Sequence, residues 1–253
     1  MEFSPDERTQ HLLHLADNAL ILGQRLSEWC GHGPVLEQDI AIINTALDQI
    51  GQARMLYQHA GKQLNPALDE DRLAFFRTEN QFFNFTMLEL PNGDWAQTLV
   101  RQFFFDTYNY LQYERLLEST DPALKAIAGK AIKEIGYHAQ FSAEWVIRLG
   151  DGTEESHRRA QDAVDRLWPY IGEFFESDGF SASAADRNAA PLPSDLRPLW
   201  EEKIDAVLDE AGLQKPVLHW FQTGGRRGQH TEHMGYILAE MQFLPRLHPE
   251  AQW

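Results

Sequence analysis

One cysteine, Cys30, is all the thiol chemistry that this chain of 253 residues offers. A single thiol excludes an internal disulfide framework, and it suits a reducing compartment. Positive charge is scarce as well: 22 Lys and Arg stand against 38 Asp and Glu, a formal net charge of -16. Nucleic acid and anionic membrane surfaces both need clustered positive charge, so neither is expected as a partner. A field of this sign could steer a basic partner protein or simply keep the chain soluble. No stretch approaches the roughly 20 apolar residues of a membrane span. The opening MEFSPDERTQ lacks a basic start and an apolar core, so no secretory signal is expected and the chain is placed in the cytoplasm. Sustained apolar–polar alternation is missing too, which leaves no basis for a sheet, and no internal repeat is present.

What remains is helical periodicity. Leu12, Leu15, Ala19, Leu22, Leu26 and Trp29 form a helical stripe from Gln10 to Cys30, ended by the breaker GHGP at 31–34. A second helix runs from about Leu36 to Lys62. Its only charge between Ile40 and Ala53 is Asp48, so it is predicted to lie in the middle of the protein. An aromatic stretch, Asp69 to Leu88, ends at the PNG run 91–93. Long helices are predicted over Trp95–Ser119 and Ala123–Leu149, and a more polar one over Thr153–Ser177. The poorly periodic stretch 178–195 reads as a loop, Leu196–Gly212 as a helix, and a glycine-rich turn at 224–228 leads to a last helix over Thr231–Phe243. Four long helices before residue 150 predict an all-α, ferritin-like four-helix bundle in one domain, with its core at about 10–150 and a helical extension at about 153–253. Phe103, Phe104, Phe105, Tyr108, Tyr110 and Tyr113 place aromatics on many sides of the fourth stretch, more than one core needs, which suggests a subunit interface.

A bundle of this class can hold two metal ions when two helices each supply a Glu and two others each supply Glu-x-x-His, because positions three apart share a helical face. The chain contains one such motif, Glu154 with His157, at the polar opening of a helix where an acidic residue is favoured by the helix dipole. Where interior ligands belong, the helices carry Asp17, Asn44, Asp48, Asp106, Glu134 and His138 instead. One imidazole and shortened carboxylates fall below the donor set of an oxygen-activating diiron centre. These six residues are expected to be a degenerate site, tied into an interior polar network with Lys130 or Lys133, rather than a catalytic or metal centre. A weak metal site is the competing reading. His230 and His233 flank Glu232 without an evident third zinc ligand. Arg226 and Arg227 in the glycine-rich turn suit an anion, such as a coenzyme A phosphate or an acidic partner, though the turn lacks the spacing of a P-loop.

The stretches ADNALILGQRLSEWCGHGPVLEQDIAI, TALDQIGQAR, FRTENQFFNFTMLELPNGDWAQTLVRQ, AIKEIGYHAQFS and TGGRRGQHTEHMGYILAEMQFLPR, from about residue 11 to 247, carry a resemblance. The chain resembles the family of C-type subunits of the bacterial phenylacetyl-coenzyme A 1,2-epoxidase of aerobic phenylacetate degradation. That resemblance implies a ferritin-like fold and a non-catalytic structural subunit that binds no cofactor itself. It also implies three partners: an A-type catalytic oxygenase subunit holding the diiron centre, a small subunit and a flavin/iron-sulfur reductase. The alternatives are a self-standing diiron-type oxygenase or ferritin-like metal-binding protein, and a helical acyl-coenzyme A binding module.

Overall fold

The computed structural model describes residues 3–251, and among these every regular element is helical. In chain order they are α1 (Glu7–Ser27), α2 (Leu36–Gly61), α3 (Glu70–Phe75), α4 (Trp95–Leu116), α5 (Pro122–Gly150), α6 (Glu154–Leu167), α7 (Gly179–Asp186), α8 (Pro193–Glu210) and α9 (Glu232–Leu247). Their starts follow from capping chemistry. Asp6, Asp69, Asp94, Asp121, Thr153, Asp178 and Thr231 each accept a hydrogen bond from a backbone N–H in the first turn of the helix that follows. Pro122 occupies the first turn of α5, where its missing N–H costs nothing. No helix among the described residues is long and apolar enough to cross a membrane.

Contacts group the chain into two compact units. The first takes residues up to Pro91 together with Gly224 onward; the second is the continuous span 92–223. The stretch expected as one extension from 153 is thus shared: α6, α7 and α8 belong to the second unit, and α9 to the first.

In the first unit α1 and α2 pair along their lengths across a short connection. A Cβ on Gly23 of α1 would lie 3.0 Å from Ile50 of α2 and 3.3 Å from the Ala46 carbonyl, so the absent side chain sets how closely the two helices approach. The aromatic stretch 69–88 is mostly not a regular helix. After the short α3 it breaks into 3-10 turns at Glu79–Gln81 and Thr86–Glu89, and α9 packs on α1, α3 and those turns. The second helix does not lie in the middle as its apolarity suggested. Leu36, Ile40 and Leu47 are 70%, 52% and 60% exposed, and Asn44, Gly51 and Arg54 share that outward face. From Ile40 the exposed positions recur as 40, 44, 47, 51 and 54, the 3.5-residue spacing of a helix-to-helix seam.

The second unit is built on the α4/α5 pair, with α6 and α8 packed on α4. Phe103, Phe104, Phe105, Tyr108 and Tyr113 of α4 are buried while Tyr110 is half-buried, and Trp168, Phe174, Phe175 and Trp200 supply additional core against Phe104, Phe105 and Tyr108. The stretch 178–195, expected as a loop, contains α7, begun by a capping box between Asp178 and Ser181 that apolar periodicity alone does not reveal.

Candidate functional site

Asp17 lies near the middle of α1 and is wholly buried. One of its oxygens accepts hydrogen bonds from Tyr57 Oη (2.5 Å) and Arg77 Nη2. The other accepts from Arg77 Nη1 at 3.1 Å and from the Phe83 backbone N–H at 2.8 Å. Arg77, also buried, donates further to the carbonyls of Leu73 and Gln81 and sits 4.0 Å from the Phe82 ring centroid. A carboxylate has about four acceptor positions, and those of Asp17 are filled by protein donors. Burial and the neighbouring Asp17 carboxylate push the Tyr57 phenol well above its usual pKa, so it acts here as a neutral donor.

Beside this triad lies a second polar cluster. His14 Nδ1 is 2.6 Å from the Phe83 carbonyl and must donate there, so its Nε2 is an acceptor; Arg226 Nη1 reaches that nitrogen at 3.2 Å. Asn18 accepts from the Phe85 N–H. Glu89, wholly buried, accepts from Asn84 Nδ2 and His230 Nδ1 on one oxygen and from the N–H and hydroxyl of Thr231 on the other.

Arg226, the candidate anion contact, is buried in the first unit, while Arg227 stays on the surface. The glycines around it serve packing. Gly228 has φ +71°, and a Cβ there would stand 2.4 Å from the Asn80 carbonyl oxygen. His230 is bound to Glu89 and does not form a metal pair with His233.

In the second unit Asp106 of α4 and His138 of α5 are both buried. Burial pushes the Asp106 carboxyl from its ordinary 3.8 to about 7, against the opposing pull of the His138 charge, a Ser142 hydrogen bond and the Arg101 charge. Gln102 Nε2 stands 3.5 Å from the carboxylate. The sign of the consequence is fixed. The folded state holds this proton more tightly than the unfolded chain, so the contribution of Asp106 is full below pH 3.8 and is lost as pH rises through about 7. Asp106→Asn is accordingly expected to raise stability by about 2–4 kcal/mol at pH 8 and by little at pH 4. Denaturant titrations at the two pH values check this; an equal effect at both would remove Asp106 as the titrating group.

Asp17 belongs to the first unit's triad, and Asp106 and His138 to the second unit's pair. Asn44 is exposed on the outer face of α2, which corrects its placement inside, while Asp48 and Glu134 are half-buried. Glu154, of the lone Glu-x-x-His, is exposed, and His157 Nδ1 donates to the Gly150 carbonyl at 2.7 Å. Among the described residues no group of three or more His, Cys, Asp or Glu side chains could hold a metal ion.

Tyr57, Arg77, Glu89, His14 and His230 are the partners that the sequence pattern did not reveal. Arg77 alone carried a usable signal: a cation within a stretch whose neighbours on both sides are aromatic must be compensated.

Two comparisons bear on this arrangement. The family described as "Phenylacetic acid catabolic protein" matches the chain over residues 2–253. The chain is also 45% identical over 248 residues to the C subunit of 1,2-phenylacetyl-CoA epoxidase from Escherichia coli (strain K12), an alignment covering 98% of this chain and 100% of that protein. The all-α, ferritin-like class expected from the sequence holds.

Proposed function

Because the chain belongs to the family of phenylacetic acid catabolic proteins, we propose that it is the non-catalytic structural subunit of a multicomponent phenylacetyl-coenzyme A 1,2-epoxidase. In this role it binds no metal or cofactor of its own and supports a diiron catalytic subunit, which a small subunit and a reductase complete. The reading rests on the commitment of Asp17: a bundle carboxylate whose acceptor positions are filled by Arg77, Tyr57 and the Phe83 N–H has no lone pair left for a metal. The seam on α2 supports the role of a subunit held by a partner, since a helix that keeps Leu36, Ile40 and Leu47 in water is incomplete alone.

The test has two arms. The chain is purified alone from iron-supplemented cells and its metal content measured, with Asp106→Ala and His138→Ala as controls. No stoichiometric iron is expected; about two irons per chain, in the manner of the di-iron bundles, lost in both variants, would make it an oxygenase in its own right. In the second arm Ile40→Glu/Leu47→Glu is co-expressed with a catalytic subunit. Loss of co-purification at unchanged thermal stability is expected, and undiminished association would remove α2 as the contact.

A further inference from the structure

His230 has an arrangement that ordinary histidines lack. Its side chain is wholly buried although its backbone reaches the surface. Nδ1 lies 2.6 Å from Glu89 Oε1, and Nε2 lies 3.1 Å from the carbonyl oxygen of Phe82. Each ring nitrogen faces an oxygen acceptor. A neutral imidazole carries one N–H and one lone pair, so in either tautomer one nitrogen would set its lone pair against an oxygen. With Glu89 as a carboxylate, already accepting from Asn84 and Thr231, only the doubly protonated ring satisfies both contacts. Its charge is met by Glu89, whose remaining acceptor capacity is taken by Asn84 and by the N–H and hydroxyl of Thr231, the cap of α9.

The contacts join distant parts of one unit: Glu89 and Phe82 come from the segment before α4, and His230 and Thr231 from the return of the chain after residue 223. We propose that His230 is a buried imidazolium that latches the returning segment, residues 224–247, onto residues 77–91, and that loss of one ring proton unlatches it. Without that proton an acceptor faces an acceptor at Glu89 or at Phe82, and direct contacts of 2.6 and 3.1 Å leave no gap for a bridging water.

The charged and titratable groups of the surrounding network come from every element packed there. The 76–91 segment gives Glu89 and Arg77, and α1 gives Asp17, His14 and Arg25, the last donating to the Glu89 carbonyl at 2.7 and 2.9 Å. The glycine-rich turn gives Arg226, bonded to His14, and the start of α9 gives Glu232 and His233. Burial opposes the charge on His230, but the hydrogen bond and charge of Glu89, the Phe82 carbonyl and the charge of Asp17 outweigh it and hold the imidazole pKa above 6.5.

The sign of the response follows. A histidine whose pKa is raised in the closed state stabilises that state fully below 6.5, and the stabilisation is lost as pH rises through the closed-state value. Opening of the segment should be independent of pH below about 6.5. It should then grow about tenfold per pH unit, one proton per opening, and level off once His230 has titrated in the closed form.

The experiment uses the full chain labelled with 15N-histidine. Long-range proton–nitrogen spectra report the protonation of each ring, with His230→Gln for assignment. Hydrogen exchange by mass spectrometry, corrected for intrinsic base catalysis, follows peptides from 224–247 and, as an internal reference, from 122–150 between pH 6 and 9.5. Both His230 nitrogens should be protonated at pH 7, and exchange in 224–247 should rise with the predicted slope while the reference does not. Glu89→Gln should move the midpoint and the plateau to lower pH together; should that variant fail to fold, the wild-type profile decides alone. A singly protonated His230 at pH 7 overturns the proposal. So does an imidazolium whose titration leaves exchange in 224–247 unchanged.

Discussion

Asp17→Ala is expected to lower the unfolding free energy by about 3–5 kcal/mol, because it strands a buried guanidinium. Arg77 is buried and directs two of its nitrogens at the lost carboxylate. Its remaining partners, the Leu73 and Gln81 carbonyls and the Tyr57 hydroxyl, are neutral and cannot replace a full negative charge in a medium of low polarity. The Phe83 N–H loses its acceptor as well. The loss therefore measures an abandoned cation, not the worth of the ion pair. Asp17→Leu combined with Arg77→Met and Tyr57→Phe should recover most of it, since removing every member of a buried ionic cluster is often nearly neutral. Chemical denaturation of both variants at pH 7 provides the measurement. A cost below about 1 kcal/mol for Asp17→Ala, the range of exposed ion pairs, would show that water reaches the cluster.

An effect of the same size is expected at Trp200, in the other unit. Its indole is fully buried and meets Phe104, Trp168, Phe174 and Phe175 with ring centroids 5.4–6.3 Å apart. It also donates from Nε1 to the Phe104 carbonyl at 2.9 Å. Trp200→Ala opens a cavity lined by aromatic rings that cannot collapse together, which costs about 3–5 kcal/mol. Trp200→Phe keeps most of the volume and forfeits chiefly the hydrogen bond, so roughly 1–2 kcal/mol is expected. Urea midpoints for the two variants separate packing from polarity; equal losses would assign the whole effect to the N–H.

How much of this was legible in the sequence depends on the residue. Helix limits were, where a cap or a breaker marks the start: α2 and α5 fall within a residue or so of the expected ends, because Asp121 with Pro122 before α5 and the GHGP run 31–34 before α2 leave little freedom. The fate of the face of α2 was not. An apolar face signals burial without saying against what, and Leu36, Ile40 and Leu47 meet no covering surface among the described residues. Asp17 and Asp106 were recognised as interior carboxylates from their apolar helical neighbours. The main partner of Asp17 was not, since Arg77 reaches the interior from a segment whose path no periodicity encodes. Glu89 is the sharpest case: it lies in a 3-10 turn just before a proline and a glycine, where a surface residue is the ordinary expectation.

The return of the chain after residue 223 sets an order of events during synthesis. The span 92–223 is continuous and can collapse as soon as it leaves the ribosome. The first unit cannot, because Glu89 waits for a histidine 141 positions later. Until then Glu89 and the faces of α1 and α3 that α9 will cover are open to solvent and to other nascent chains, so the earliest-made part of the protein is the last to be finished. Premature termination between residues 223 and 232 should thus yield a product with one unit intact and the other unclosed, exposed to proteolysis from its N-terminal side.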